Sequence, residues 1–289
     1  MPKPRILIQL DPDPHASLFD AVVAVDAGVE HLLQYHSVQP AQVRDLVHGA
    51  MFTRSPADLS STAVFVGGSN VAKGEELLRQ ITKCFFGPMR VSVLLDANGA
   101  NTTAAAAVLA AAKHVELKGA TATILAGTGP VGQRAARLLV QQGATVRLAS
   151  RTIQKAEEAC HAIRTRVPEA KIQPVATASA DGTAAAVAGA QIVIAAGAAG
   201  IQLLSAEVLK QTTSLKVAID LNAVPPLGIE GIGVMDKAKE MGGVFCYGAI
   251  GVGGTKMKIH RAAIEKLFTR NDLVLDAEEV FALGQELAK

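Results

Sequence analysis

The chain has 289 residues, 28 Lys and Arg against 26 Asp and Glu, a net charge of +2, and 49% hydrophobic residues without a single Trp. That length suits two domains. The near-neutral charge, with no basic run interleaved with aromatics, gives nucleic-acid binding no support, and no apolar run approaches the roughly 18 residues of a membrane span.

Read in order, the chain alternates strand and helix. Arg5–Leu10 is a strand, and Ser17-Leu18-Phe19-Asp20 opens an apolar helix through Val25. On local pattern alone, Asp20 reads first as a first-turn acid meeting the helix dipole. Residues 38–49 look helical, Thr62–Val66 is a strand ending in Gly67-Gly68, and Val71–Lys83 is an amphipathic helix. Val91–Leu95 is a buried strand that runs into Asp96-Ala97-Asn98-Gly99-Ala100-Asn101-Thr102-Thr103 and an Ala-rich helix to Ala112. This polar cluster falls at the C-terminal end of a strand, where open α/β sheets place ligands. Asn offers both a donor and an acceptor to a heterocycle edge. Helix capping by Asn101 and turn formation at Asn98-Gly99 are an equal reading of the same residues.

Ala122–Ala126 is an apolar run suited to a strand buried on both faces. Gly127-Thr128-Gly129-Pro130-Val131-Gly132 follows directly, then Val131, Ala135, Leu138 and Leu139 at helical spacing, a stop at Gly143, and a strand over Thr145–Ala149. A G-x-G-x-x-G turn between a strand and a helix is a dinucleotide fingerprint. The first glycine permits the tight turn, the second lets backbone N–H groups approach a pyrophosphate, and the third lets the helix pack on the strand. An NAD site usually ends its second strand with an acid for the ribose 2′-OH. Here the strand ends Ala149-Ser150-Arg151-Thr152, with Lys155 one turn on. A hydroxyl and two cations suit the 2′-phosphate of NADP, with NAD the weaker ligand.

Ile153–Arg166 is a helix, Lys171–Ala176 a strand, Thr183–Ala188 a helix, and Gln191–Ala196 a strand closing on Gly197. Leu215–Leu221 is a strand ending in Asn222. Ala196, Gly197 and Asn222 are the expected lining of the nicotinamide end. Phe245–His260 reads as a glycine-rich loop carrying Lys256 and Lys258 into a helix over 259–268, with His260 a surface or capping histidine, and Asp276–Leu287 is a final amphipathic helix. The expected architecture is α/β in two domains. Residues 1–112, joined by a C-terminal helix at 271–289, form a parallel α/β substrate domain. Residues 113–270 form a Rossmann NADP-binding domain, with the cleft between them as the natural site. Cys84, Cys160 and Cys246 are scattered, so neither a metal site nor a disulfide framework is expected. Met1-Pro2-Lys3-Pro4 leads into a strand without a signal-peptide pattern, and a cytoplasmic location is the default.

The segments SLFDAVVAVDAG, FVGG, FFGPMRVSVLLDANGANTTAAA, AGTGPVGQRAA, ASRTIQKA, NAVPPLGIEGI and GAIGVGGTKMKIHRAAIEKLF together resemble the bacterial NADP-dependent methylene-tetrahydromethanopterin dehydrogenases over nearly the whole chain. The resemblance implies a pterin domain and a Rossmann domain. It also implies oxidation of the methylene bridge of tetrahydromethanopterin, and in some members of tetrahydrofolate, to the methenyl form. It implies pyrophosphate binding at Gly127–Gly132, phosphate-ribose cations at Arg151 and Lys155, pterin-facing groups at Asp20, Asn98, Asn101, Thr102 and Thr103, and an active-site lysine at Lys256, with Lys258 two residues away. A reduced pterin one-carbon carrier is thus the expected partner, and a homo-oligomer the expected assembly. Rival readings are a carbonyl reductase of shikimate-dehydrogenase-like layout, a methenyl cyclohydrolase and a non-catalytic NADP sensor. The absence of a Ser/His/Asp or Cys/His constellation agrees with hydride loss from an aminal carbon, which needs no general base.

Overall fold

The computed structural model describes residues 3–289, and the chain divides into two compact units. The first runs to Thr102 and resumes over Met257–Lys289, and the second is Thr103–Lys256. Both divisions fall inside continuous helices, whereas the sequence reading put the joins at 112/113 and 270/271. No linker composition marks either one. No helix among the described residues is long and apolar enough to cross a membrane.

In the first unit, strands β1 (Ile6–Leu10), β2 (His31–Tyr35), β3 (Thr62–Val66), β4 (Ser92–Leu95) and β12 (Val274–Leu275) form one sheet, ordered β12-β4-β3-β1-β2 and parallel throughout. In chain order this is the 2-1-3-4-5 winding of flavodoxin-like sheets, whose switch point lies between the first and third strands. Strands β3 and β4 are buried along their whole length, as their unbroken apolar runs require. The helices carry explicit start signals. Ser17 caps α1 (Leu18–Asp26) by accepting the Asp20 N–H, Asn70 caps α3 (Val71–Lys83) through the Lys73 N–H, and Asp276 and Glu279 form a capping box on α10 (Ala277–Leu287).

The second unit is a seven-stranded sheet. Its members are β5 (Thr121–Leu125), β6 (Thr145–Ser150), β7 (Ile172–Ala176), β8 (Ile192–Ala195), β9 (Val217–Asp220), β10 (Lys239–Met241) and β11 (Val244–Tyr247), ordered β10-β11-β9-β8-β5-β6-β7. All pairs are parallel except β10 with β11. Without the antiparallel edge this is the 3-2-1-4-5-6 winding, with its switch point between β5 and β8. The core on one side is continuous through Leu125, Val193, Leu204, Leu215, Ile229 and Cys246.

Five stretches depart from the sequence reading. Strand β2 was not anticipated: HLLQY has no β-branched residue and lies at a sheet edge, exposed along most of its length. The short helix α8 (Ala206–Gln211) and the β10–β11 hairpin were likewise missed. Helix α2 (Val43–Phe52) starts later than expected, after a 3-10 turn at Pro40–Gln42. The expected loop at 248–258 is helix, because α9 spans Ala249–Leu267. Its glycines serve close packing: a Cβ on Gly248 or Gly251 would run into the backbone of the 233–236 turn. Gly253 and Gly254 are therefore helical and not the turn that the sequence suggested.

Helix α4 (Ala100–Ala112) is anchored by Asp96, which is 1% exposed. One carboxylate oxygen accepts the N–H groups of Asn101 (2.9 Å) and Thr102 (3.1 Å), and the other accepts the Thr102 hydroxyl (2.6 Å). Asp96→Ala would strand these buried donors. It should cost about 3 kcal/mol or more, read from urea unfolding, and a loss below about 1 kcal/mol would refute this anchoring role.

Candidate functional sites in the two units

The turn between β5 and α5 (Pro130–Gln141) shows three glycines with two different reasons. A Cβ on Gly127 would lie 2.9 Å from the Ile124 carbonyl, and one on Gly132 would lie 2.6 Å from the Cα and oxygen of Gly127. Both positions exclude side chains because strand, turn and helix touch. Gly129 is different: its Cβ would meet only the Ala196 oxygen, at 4.0 Å. No protein contact demands glycine there, so the residue fits a group that approaches the backbone from outside. Gly129 is also the N-cap of α5 and has no side chain to cap it, which leaves the first N–H groups directed outward. Pro130 opens the helix, where its missing N–H costs nothing. Thr128 turns its carbonyl to Gln133 Nε2 at 2.6 Å, and Val131 is half-buried in the first turn. These residues fit a dinucleotide pyrophosphate.

A cavity of about 330 Å³ opens beside this turn, lined by Thr128, Ser150, Arg151, Lys155, Gly197 and Ile201 among others. Ser150 is buried and accepts the Thr152 N–H at 3.3 Å. Arg151 and Lys155 are exposed and form no ion pair among the described residues. No carboxylate lines the cavity. Thr177 and Ser179, which also line it, went unnoticed in the sequence, where they read as ordinary turn residues. Ala196 and Gly197 follow β8 at the switch point, with Gly197 packed on Leu203. Asn222 is buried, and its side chain binds the Pro226 carbonyl (3.1 Å) and the Val224 N–H (2.9 Å). It therefore shapes the loop after β9. Asp220, overlooked in the sequence, supports the same loop by accepting the Asn222 and Ile229 N–H groups. Burial raises its pKa despite those backbone hydrogen bonds.

In the first unit the switch point lies between the ends of β1 and β3. Asp11 follows β1, is 1% exposed, and accepts the N–H groups of Asp13 (2.9 Å) and Ser17 (3.1 Å). Burial raises its pKa above the usual value. Asp20 and Asp11 flank Gly67, where a Cβ would lie 3.4 Å from an oxygen of each. Asn98, with φ +54°, is exposed and donates its N–H to the Gly68 carbonyl at 2.6 Å. Asp20, Asn98 and the Gly67-Gly68 turn thus gather at one edge of this sheet.

Asn101 and Thr102 are buried. Asn101 Nδ2 donates to the Leu95 carbonyl and to Asp276 Oδ1 (2.9 Å), and Thr102 donates to Asp96. These contacts shape the loop. Thr103 is half-buried in the next turn. Lys256 is half-buried and Lys258 exposed, both within α9. His260 is fully buried, against the expectation of a surface or capping histidine, because α9 begins earlier and carries it inside. Its Nε2 lies 3.9 Å from Asp20 Oδ1.

The fold and the glycine turn place the chain in the class of α/β proteins that carry a Rossmann unit. Residues 18–98 match the family description "Methylene-tetrahydromethanopterin dehydrogenase, N-terminal". Two curated relatives come from Methylorubrum extorquens. "Bifunctional protein MdtA" is 44% identical over 98% of this chain and 99% of its own length. "NAD(P)-dependent methylenetetrahydromethanopterin dehydrogenase" is 32% identical over 98% of each. The chain belongs to the methylene-tetrahydromethanopterin dehydrogenase family. Its fold is shared with quinate dehydrogenase from Corynebacterium glutamicum, solved with NAD (13% identity, TM-score 0.54, 98% of this chain and 100% of that one). It is also shared with shikimate 5-dehydrogenase from Listeria monocytogenes, solved with shikimate and NAD (15% identity, TM-score 0.54, 98% and 96%).

The glycine contrast is testable. Gly132→Ala should destabilise the protein by about 2–3 kcal/mol through backbone overpacking. Gly129→Val should leave the thermal midpoint nearly unchanged and abolish dinucleotide binding in a fluorescence titration. Normal binding by folded Gly129→Val would refute the pyrophosphate assignment.

Proposed function

We propose that the protein oxidises the methylene bridge of methylene-tetrahydromethanopterin to the methenyl form, with NADP⁺ as hydride acceptor. The observation that carries this reading is the switch-point glycine turn, with a middle glycine that no protein contact requires. It occurs in a chain 32% identical to a relative named for that reaction. When bound, the nicotinamide supplies the carbon that accepts the hydride. The methylene carbon lies between two nitrogens, which share the positive charge left behind, so no proton is removed in the step. The protein's task is then orientation and exclusion of water.

The roles divide by residue. The backbone of Gly127–Gly132 and the start of α5 bind the pyrophosphate, while Ala196 and Gly197 leave room for the nicotinamide ribose. Asn222 holds the neighbouring loop. Ser150, Arg151 and Lys155 bind the 2′-phosphate, a preference for NADP supported by the lack of any carboxylate in their cavity. Asp20, Asn98 and Thr103 face the pterin, while Asn101 and Thr102 keep the loop in shape. Lys256 meets the pterin, and its partial burial against the exposure of Lys258 favours it over its neighbour. We assign the reaction to the cytoplasm, in keeping with three free cysteines.

Addition of NADP⁺ and methylene-tetrahydromethanopterin should produce the absorbances of NADPH and the methenyl product together. Silence, with activity on a carbonyl substrate, would overturn the reading. Arg151→Ala should weaken NADP binding by about 1.5–3 kcal/mol, the worth of a charge-assisted bond, and barely alter NAD binding. Equal loss for both cofactors would remove the 2′-phosphate assignment. Lys256→Met should lower kcat/KM by about ten- to thousandfold, or about 1.4–4 kcal/mol, with NADP affinity unchanged and Lys258→Met mild. Reversed effects would move the role to Lys258.

A further inference from the structure

Within α9 the residues Ile259, Ala263, Ile264 and Leu267 are all buried. Position 260 belongs to the same inward-facing region, where an apolar side chain would be the ordinary choice. It is a histidine with 0% exposure. Burying an imidazole removes two polar nitrogens from water, a cost that an apolar ring would avoid. The surroundings indicate what this accomplishes. The ring stacks on Phe65 with centroids 5.6 Å apart and planes 27° apart, and Phe19 lies 6.4 Å away. Flanked in this way, the ring has little freedom to turn. Its Nε2 points toward Asp20 Oδ1 at 3.9 Å, which is ion-pair distance and too long for a hydrogen bond.

Asp20 sits in the first turn of α1. Ser17 Oγ accepts its N–H at 3.3 Å, and its side chain is 12% exposed. The second carboxylate oxygen, Oδ2, lies beside Gly67 at the switch-point edge of the sheet. One oxygen therefore faces the histidine and the other faces the edge at which this class of sheet receives ligands.

We propose that His260 is a positioning residue: it fixes the orientation of the Asp20 carboxylate so that Oδ2 is presented to the pterin. The proposal rests on the reading of Asp20 as a pterin-facing group. His260 itself touches no substrate. Phe65 and Phe19 flank the imidazole, its Nε2 stands at ion-pair distance from Oδ1, and the substrate meets Oδ2.

The test is a double-mutant cycle on the full-length enzyme. His260→Phe keeps the aromatic packing on Phe65 and removes the ring nitrogens. It should leave NADP affinity and the thermal midpoint close to wild type, and lower kcat/KM for methylene-tetrahydromethanopterin by about tenfold or more. In the Asp20→Asn background the same change should alter kcat/KM by less than about threefold, because its effect passes through Asp20. His260→Gln, which keeps a polar nitrogen in place of the ring, should recover part of the loss, and it serves as the reporter if His260→Phe fails to fold. Multiplicative effects in the cycle, or full activity of His260→Phe, would overturn the positioning role while leaving the Asp20 assignment intact. Full activity of Asp20→Asn would overturn both and leave the dinucleotide assignment untouched.

Discussion

The second unit depends on one close contact: α5 crosses the end of β5 so tightly that a methyl group on Gly132 would lie 2.6 Å from the Gly127 backbone. This contact fixes the direction of α5, sets its first N–H groups at the switch point between β5 and β8, and leaves Gly129 as the glycine of the turn that no described neighbour crowds. A pyrophosphate is well suited to such a place, because the helix dipole and the uncapped N–H groups both favour an anion. The end of β6 brings Ser150, Arg151 and Lys155 to a cavity that no carboxylate among the described residues lines.

The first unit ties its loops with buried carboxylates. Asp11 ties the loop after β1, and Asp96 ties the start of α4. Each spends its oxygens on hydrogen-bond donors, backbone N–H groups for Asp11 and backbone N–H groups plus the Thr102 hydroxyl for Asp96, which is what allows a charged group to be buried at all. Asp20 differs from both. It sits beside Gly67, with His260 Nε2 3.9 Å from its Oδ1. The two units thus share a design in which parallel strands deliver loops to one edge. Buried anions stiffen loops in both, since Asp220 does for the loop after β9 what Asp11 and Asp96 do in the first unit, and the second unit adds the close glycine packing of its β5–α5 turn.

Much of this was legible in the residues themselves. The bounds of α3 and α6 (Ile153–Arg166) follow from spacing and from Asn70 and Thr152 at their starts. The glycine turn could be read because each of its glycines answers a local steric demand or a ligand. The cation-bearing end of β6 could be read because a missing acid is visible in sequence. Other features depend on tertiary partners. Asn101 and Thr102 looked like ligand groups, yet only the fold reveals that Asp96, Leu95 and Asp276 receive their donors. The glycines of 248–254 looked like a loop, because nothing local signals that the 233–236 turn lies against the start of α9. The same misreading hid His260, whose burial follows from a helix that starts ten residues before the expected one. Strand β2 escaped notice because an exposed edge strand lacks the alternation that burial imposes.

The central claim is that hydride passes directly from the methylene carbon to the bound nicotinamide. The most direct measurement uses a carrier deuterated at the methylene bridge, in ordinary water, with the reduced dinucleotide analysed by mass spectrometry. The account predicts one deuterium in each reduced nicotinamide, and none when unlabelled carrier reacts in heavy water. Reduced nicotinamide without substrate deuterium, or with solvent deuterium, would contradict it.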